Sequence, residues 1–330
     1  MADRRSVLIS ANPRSGPRSG LEQARALQVR LEQSGYRAEL VSDIQAMTER
    51  AAQLHASGDL RTVVSAGGDG TASLVLSKIP LQVPVTLFPL GSENLLAKYF
   101  GMTRDVERTV QAIDDLRTVP LDLFRANGQS TLLVTSVGFD AEVVRQVHEN
   151  RRSQITRWAY RWAILRAIAS YRWPRFRIEI LGSNGEWSRA GECNWLFAFN
   201  VARYAAGIAI IDQTPIDDGL LEVGMFDGGG LLQGLWNYAK VVLGVHHRSK
   251  HWKRLRVAGL RVCLAADDHS FEPASRGTPR SVPADASFQI DGDWGGSLPL
   301  EIVHSGRQAQ IVVDRDFHAE PARVASSSHS

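Results

Sequence analysis

The chain is poor in cysteine and in net charge, and it has no long apolar run. Among 330 residues only Cys193 and Cys263 are cysteines. Both sit in apolar runs, so two buried free thiols are expected rather than a disulfide. Two cysteines alone also cannot make a zinc site. No stretch reaches the ~18 uninterrupted apolar residues of a membrane span. The opening residues, Met1-Ala2-Asp3-Arg4-Arg5, lead into a short strand and carry no apolar signal region. The expectation is a cytoplasmic protein, peripheral on the inner membrane face at most. A net charge of +3 excludes a polycation. The basic residues are uneven, however, with nine arginines and His148 between Arg145 and Arg177. That asymmetry points to an anionic partner surface and away from sequence-specific nucleic-acid binding. A serine-hydrolase elbow, G-x-S-x-G, is absent. None of the nine histidines stands out; His246-His247, in a basic run, reads as a solvated face.

What the chain does have is alternation. Strands are expected at Ser6 to Asn12, Arg37 to Val41, Thr62 to Ala66 and Val83 to Leu90, with helices at 21–34, 44–57, 72–77 and 95–100. Such alternation predicts a parallel sheet with helices on both faces. Ser42 or Asp43 is the natural N-cap of the second helix. After Asp114 the pattern changes. Val119 to Ala126, the turn Asn127-Gly128 and Thr131 to Val137 read as a hairpin. A helix near 141–149 follows. Further strands are expected at 176–181, 195–201, 220–226, 260–265, 287–290 and 300–304, with a helix over 231–243. Many short strands with turn signals predict an antiparallel β-rich second domain. Residues 269–283, rich in Pro, Ser and Gly, read as a mobile loop, and 318–330 as a fraying, disordered tail. The helix Ile155 to Tyr171 carries Trp158 and Trp162 on one face and Arg157 and Arg161 on another. A core helix with a charged outer face is the default reading, and docking on anionic lipid the alternative.

The stretch Gly67-Gly68-Asp69-Gly70-Thr71 follows a β-branched run and precedes a helix. A glycine turn at a strand end exposes backbone N–H groups that suit a phosphate. It is neither a Walker loop nor a Rossmann fingerprint. The alternative is a turn in which glycine supplies φ > 0. Asn12-Pro13-Arg14-Ser15-Gly16 and Gly91-Ser92-Glu93-Asn94 lie at the ends of other parallel strands, where ligands bind in such sheets. In Thr214-Pro215-Ile216-Asp217-Asp218-Gly219-Leu220, Asp217 reads as a solvated turn residue and Asp218 as a candidate ligand for a hard cation. Gln289-Ile290-Asp291-Gly292-Asp293 sets two carboxylates around a glycine, one of which could accept a proton from an attacking hydroxyl. Phosphoryl transfer needs that base together with metal and phosphate positioning.

In order along the chain, these motifs together with Gly138-Phe139-Asp140-Ala141 resemble the bacterial lipid kinases that share the diacylglycerol kinase catalytic domain. Sphingosine and ceramide kinases are relatives, and NAD kinases are more distant ones. The resemblance implies an α/β, parallel-sheet nucleotide domain (1–118) and an antiparallel β-sandwich lipid-substrate domain (119–306). It also implies an active cleft between the domains and a return of 307–317 to the first. It implies ATP held by Gly67, Gly68, Asp69, Gly70 and Thr71, with Asn12, Pro13, Arg14, Ser15 and Gly16 beside them. Ser92 matches a hydroxyl position, Ser42 a nucleotide-contacting threonine, and Glu93 and Asn94 complete that loop. Pro215 and Leu220 through backbone oxygens, with the Asp218 carboxylate, match a structural Mg²⁺ site. Asp293 takes the place of a proton-accepting glutamate, and Asp69 that of a carboxylate near the ATP phosphates. Two departures stand out: Leu95 replaces an aspartate, for which Glu93 is the candidate stand-in, and Asp293 is one methylene shorter than glutamate. The activity implied is Mg²⁺- and ATP-dependent phosphorylation of a lipid such as diacylglycerol, a sphingoid base or ceramide at a membrane surface. The resemblance implies no nucleic-acid partner and admits a homodimer. The alternatives are a NAD kinase-like enzyme and a nucleotide- or lipid-binding protein without turnover.

Overall fold

Four parallel strands lie in the order β2-β1-β3-β4: β1 (Ser6–Ala11), β2 (Arg37–Val41), β3 (Leu60–Gly67) and β4 (Pro84–Pro89). Strands β1 and β4 are buried at every position, which is the pattern of a sheet covered on both faces. The computed structural model describes residues 5–11, 19–149, 167, 171–182, 184–204, 208–266 and 286–318. By internal contacts it divides into two units, 1–123 with 306–321 and 124–305 with 322–330.

In the first unit, helices α1 (Ser19–Gln33) and α5 (Val106–Asp115) pack on one another. Together with Val7, Ile9, Val64 and Phe88 of the sheet they bury Leu27, Leu31, Val110 and Ile113. Helix α2 (Ile44–Ala56) lies along β1 and β3 and contacts α3 (Asp69–Lys78). Asp43 is its N-cap, accepting the Ala46 N–H at 2.8 Å. A fifth parallel neighbour is supplied by the end of β16 (Leu300–Val312), where residues 310–312 pair with 84–86.

The second unit is a two-sheet antiparallel sandwich. One sheet runs β12-β11-β10-β7-β14-β15: Trp252–Val257, Leu221–Phe226, Trp195–Phe199, Val134–Val137, Ser287–Ile290 and Asp293–Ser297. The other is built around β13 (Gly259–Leu264), flanked by β8 (Phe176–Leu181) and by residues 300–303 of β16, with β9 (Trp187–Cys193) beyond β8. Strand β5 (Thr118–Ala126) pairs with β16 and, across the Asn127-Gly128 turn, with β6 (Gln129–Thr131). Val137, Phe176, Leu196, Val223, Leu260 and Phe288 form the core between the sheets, and both cysteines are buried free thiols. Among the described residues the unit also holds helices α6 (Phe139–Glu149) and α7 (Leu231–Val242). The parallel-sheet domain followed by an antiparallel sandwich is the fold class expected. Among the described residues, no helix is long and apolar enough to cross a membrane.

Several local expectations are corrected. Residues 131–137 are not one strand: β6 ends at Thr131 and β7 begins at Val134, in the other sheet. The break is held by the Asp291 carboxylate, which accepts N–H groups of Leu132, Leu133 and Val134 at 2.8–3.0 Å. His246 is not on a solvated face; it is buried, and Nε2 lies 2.8 Å from the Ile210 carbonyl. Helix α3 starts at Asp69 rather than Ala72, so most of the expected glycine loop is the first turn of a helix. The loop 12–16, most of the helix 155–171, the loop 269–283 and most of the tail 318–330 lie outside the described residues.

Candidate active site

The first unit gathers its candidate residues at the carboxyl ends of β3 and β4. Gly67 ends β3, and Gly68 is the N-cap of α3 in an extended conformation. None of Gly67, Gly68, Gly70 or Gly91 has a positive φ, so a turn conformation does not explain them. Contact does. A Cβ at Gly91 would lie 2.5 Å from the Gly68 Cα, and one at Gly67 would lie 2.3 Å from Thr71 Oγ1. Two backbones and one buried threonine side chain therefore pass closer than any side chain at those glycines would permit. Gly70 is different: it is exposed, and a Cβ there would meet nothing. The amides of Asp69 and Gly70, in the first helical turn, have no acceptor among the described residues, and that is the arrangement that receives an anion.

Asp69 does not stand free beside this turn. Its two carboxylate oxygens accept the N–H groups of Leu95 and Leu96, each at 2.9 Å. It thereby caps the short helix α4 (Leu95–Tyr99), whose preceding residue Asn94 is left-handed (φ 52°) and has no side-chain capping bond of its own. Asn94 closes the 91–94 loop: Oδ1 accepts the Gly91 N–H at 2.9 Å and Nδ2 donates to the Gly91 carbonyl at 2.8 Å. Arg104 was not singled out from sequence. Its guanidinium donates to the carbonyls of Pro89 (2.7 Å) and Gly91 (2.8 Å) and fixes the same loop while placing a positive charge there. Ser65, Gly68, Asp69, Asn94 and Ala97 line a pocket, and the buried Ser65 hydroxyl in its wall has no partner among the described residues. The two amides without an acceptor among the described residues and the glycine cradle fit a phosphate, whereas the pocket on which the Ser65 hydroxyl opens, about 10 Å³, has room only for a water. Ser92 is exposed on the same loop, Glu93 faces Lys98 at 3.9 Å, and Ser42 is exposed at the end of β2. Asn12 to Gly16 lie outside the described residues.

In the second unit, the two carboxylates around Gly292 have separate duties. Asp291 (φ 51°) is saturated by the three amides of 132–134. Asp293 opens β15, is exposed, and its carboxylate makes no hydrogen bond or ion pair among the described residues. The β14–β15 hairpin packs on α6, where His148 and Trp294 stand 5.5 Å apart. Asp140, in the same helix, is buried. It accepts hydrogen bonds from Ser136, from Trp195 Nε1 at 2.7 Å and from Tyr204 Oη at 3.0 Å. Burial pushes its carboxyl above the ordinary range against the pull of those donors. This role for the Gly138-Phe139-Asp140 motif is internal to the unit.

The acidic turn before β11 holds Pro215, Asp218 and Leu220. Asp218 accepts the Leu220 N–H at 3.0 Å, and its other oxygen is held by the Arg256 guanidinium. Arg256 also pairs with the buried Glu222 at 3.0 Å, as Arg254 does at 2.8 Å. The Pro215 carbonyl accepts from the Thr214 hydroxyl at 3.1 Å. The described residues contain no cluster of three or more His, Cys, Asp or Glu able to hold a metal. This donor set does not fit a structural Mg²⁺ as it stands. Its one carboxylate is already neutralised by a guanidinium, which a divalent cation would have to displace.

The parallel α/β unit offers two amides to an anion at its strand ends, and the β-sandwich unit carries an exposed turn carboxylate. Residues 6–126 match the diacylglycerol kinase catalytic domain, and 133–304 match the YegS C-terminal NAD kinase beta sandwich-like domain. The chain belongs to the lipid kinase family that carries these two domains. It is 24% identical to a diacylglycerol kinase of Bacillus subtilis (strain 168), across 93% of this chain and 96% of that one. It is 25% identical to a Cronobacter sakazakii protein named Probable lipid kinase YegS-like, over 53% of this chain and 60% of the other. Among solved structures, a diacylglycerol kinase from Bacillus anthracis str. Sterne aligns over 96% of this chain and 99% of its own length, with a TM-score of 0.61 and 14% identity.

Proposed function

We propose that the protein transfers the γ-phosphoryl group of ATP, taken up as its magnesium complex, to a hydroxyl of a membrane lipid such as diacylglycerol, a sphingoid base or ceramide. The observation that carries this reading is the cradle formed where Gly68 meets Gly91 and Asp69 caps α4. It offers free amides to phosphate oxygens without any side chain in the way. Arg104 and Asn94 hold its geometry, so little reorganisation is needed when charge moves toward the leaving ADP. Asp293, exposed and without a partner among the described residues, is the proton acceptor. The lipid O–H gives its proton to that carboxylate, the oxygen bonds to the γ-phosphorus, and the bond from phosphorus to the ADP oxygen breaks. A positioned base of this kind contributes roughly 10²–10⁴-fold. The shorter Asp293 side chain requires the acceptor hydroxyl to approach closely or through one water. No step is assigned to the turn at Asp218.

The test is to incubate the purified chain with Mg-ATP and, separately, with diacylglycerol, sphingosine, ceramide, phosphatidylglycerol and NAD, and to analyse products by mass spectrometry. A phosphorylated lipid supports the reading. Phosphorylated NAD alone supports the NAD kinase-like alternative. ATP binding with no product on any acceptor supports the non-catalytic alternative.

A further inference from the structure

Helix α7 presents two unlike faces. Its inner face is fixed by Gly234, Asn237, Tyr238 and Val241. A Cβ at Gly234 would lie 2.2 Å from the Trp173 ring, and Tyr238 sits 5.7 Å from Phe139, edge to face. Its outer face, one turn apart along the helix and just past its end, carries Leu232, Trp236 and Leu243, with 84%, 58% and 72% of their surface exposed. Large apolar side chains gathered on one face of a short helix are not the scattered exposures of an ordinary surface. The helix has 12 residues, about 18 Å at 1.5 Å per residue, too short to span a bilayer.

The stretch of chain that carries this face holds charge of one sign, although Asp227, whose N–H donates to the His251 carbonyl at 2.9 Å, and Asp212, which acts on His246, lie beside it. From Gly228 to Ala266 there is no Asp or Glu, against seven Lys and Arg. Three of the seven, Arg254, Arg256 and Arg261, are paired with Glu222 or Glu301. Arg248, Lys250 and Lys253 are exposed and have no acidic partner among the described residues. Lys240 lies over the Trp236 ring at 5.3 Å and donates to the Ser249 hydroxyl at 3.1 Å, which ties the Arg248–Lys250 segment to the helix.

We infer that the outer face of α7 with its Arg248–Lys253 rim is the surface by which this protein docks on an anionic lipid bilayer. The helix lies in the interface plane, leucines and Trp236 toward the acyl region and the cations toward the headgroups. A second copy of the chain fits the face less well, because a two-fold contact would set the unpaired cations of both copies near one another. The inference gains its purpose from the proposed lipid acceptor, but its test does not depend on turnover.

The full chain, without nucleotide, is sedimented with phosphatidylcholine vesicles and with mixed phosphatidylcholine–phosphatidylglycerol vesicles at low and high salt. Two variants are compared: Leu232→Asp with Leu243→Asp, and Arg248→Glu with Lys250→Glu. All four positions are exposed, and unchanged circular dichroism verifies the fold. Wild type should prefer the anionic vesicles and lose binding with salt, and each variant should bind at least about tenfold more weakly. Wild-type indifference to anionic vesicles, or equal binding by the variants, overturns the inference. So does gel filtration showing a wild-type dimer that the leucine variant dissociates. Phosphorylation of lipid in detergent micelles is measured alongside. Its absence in wild type counts against the proposed function, while the vesicle result decides the docking surface separately.

Discussion

The Asp69 carboxylate accepts the backbone N–H of Leu95 at 2.9 Å, across 26 positions of sequence, and its second oxygen does the same for Leu96. The residue that sequence alone would set beside a phosphate is thus also the clamp between α3 and α4. Asp69→Ala should lower stability by roughly 1–3 kcal/mol, since two amides lose a charged acceptor, and should weaken ATP binding with it. Thermal denaturation and nucleotide titration of the same preparation check both. A variant that loses activity with an unchanged melting temperature would assign Asp69 to the ligand alone.

The glycines separate by contact. Gly91→Ala places a Cβ 2.5 Å from the Gly68 Cα, backbone that cannot swing aside. It should cost about 1–3 kcal/mol, the range for overpacking, and abolish nucleotide binding. Gly70→Ala meets no atom and sits in a helix, so stability should stay level or rise by about 0.5–1 kcal/mol. If a phosphate packs on this turn, ATP affinity should nevertheless fall. Chemical denaturation with ATP titration distinguishes the two effects.

Asp291 and Asp293 should separate in the same way. Asp293→Asn removes an exposed carboxylate that has no partner among the described residues and should leave stability within about 0.5 kcal/mol. Asp291→Ala strips three amides of their acceptor and puts alanine at φ 51°, so it should destabilise by about 2 kcal/mol or more. Urea denaturation of the two variants is the check.

His246 gives the protein an acid-sensitive element. Burial among Phe226 and Trp252 holds its imidazole pKa below the usual value of 6.5, against the pull of the Ile210 carbonyl. The unfolded chain therefore binds the extra proton first as pH falls. Stability from this group is present above about pH 6.5 and declines as pH drops through the window below it. Melting temperature measured from pH 8 to pH 5 should fall more steeply in wild type than in His246→Gln.

Much of the fold was legible. The strands 37–41, 176–181 and 287–290 coincide with β2, β8 and β14: β14 is buried throughout and β8 buries Phe176 and Ile178 in alternation, whereas β2 buries only Ala38 and is marked by the turn residues on either side of it. Strand β12 was missed because Lys253, Arg254 and Arg256 face solvent, and the run reads as charge. Helix α5 went unread although Asp105 caps it, accepting the Arg108 N–H at 3.1 Å. The reading of 300–304 stopped short because polar residues interrupt β16 before its last three residues join the parallel sheet. The candidate site was legible as residue types but not as partners. Nothing in local spacing ties Asp69 to Leu95, Arg104 to Gly91, Asp291 to Leu132 or Arg256 to Asp218. Each is a bond over 13 to 159 positions.

The most direct test of the account is phosphate transfer from labelled Mg-ATP to a lipid hydroxyl by wild type and by Asp293→Asn, with ATP affinity measured in both. The account predicts a phosphorylated lipid from wild type, a rate lower by roughly 10²–10⁴-fold in the variant, and the same ATP affinity in each. Equal rates in the two proteins, or no labelled lipid from a wild type that binds ATP, would contradict it.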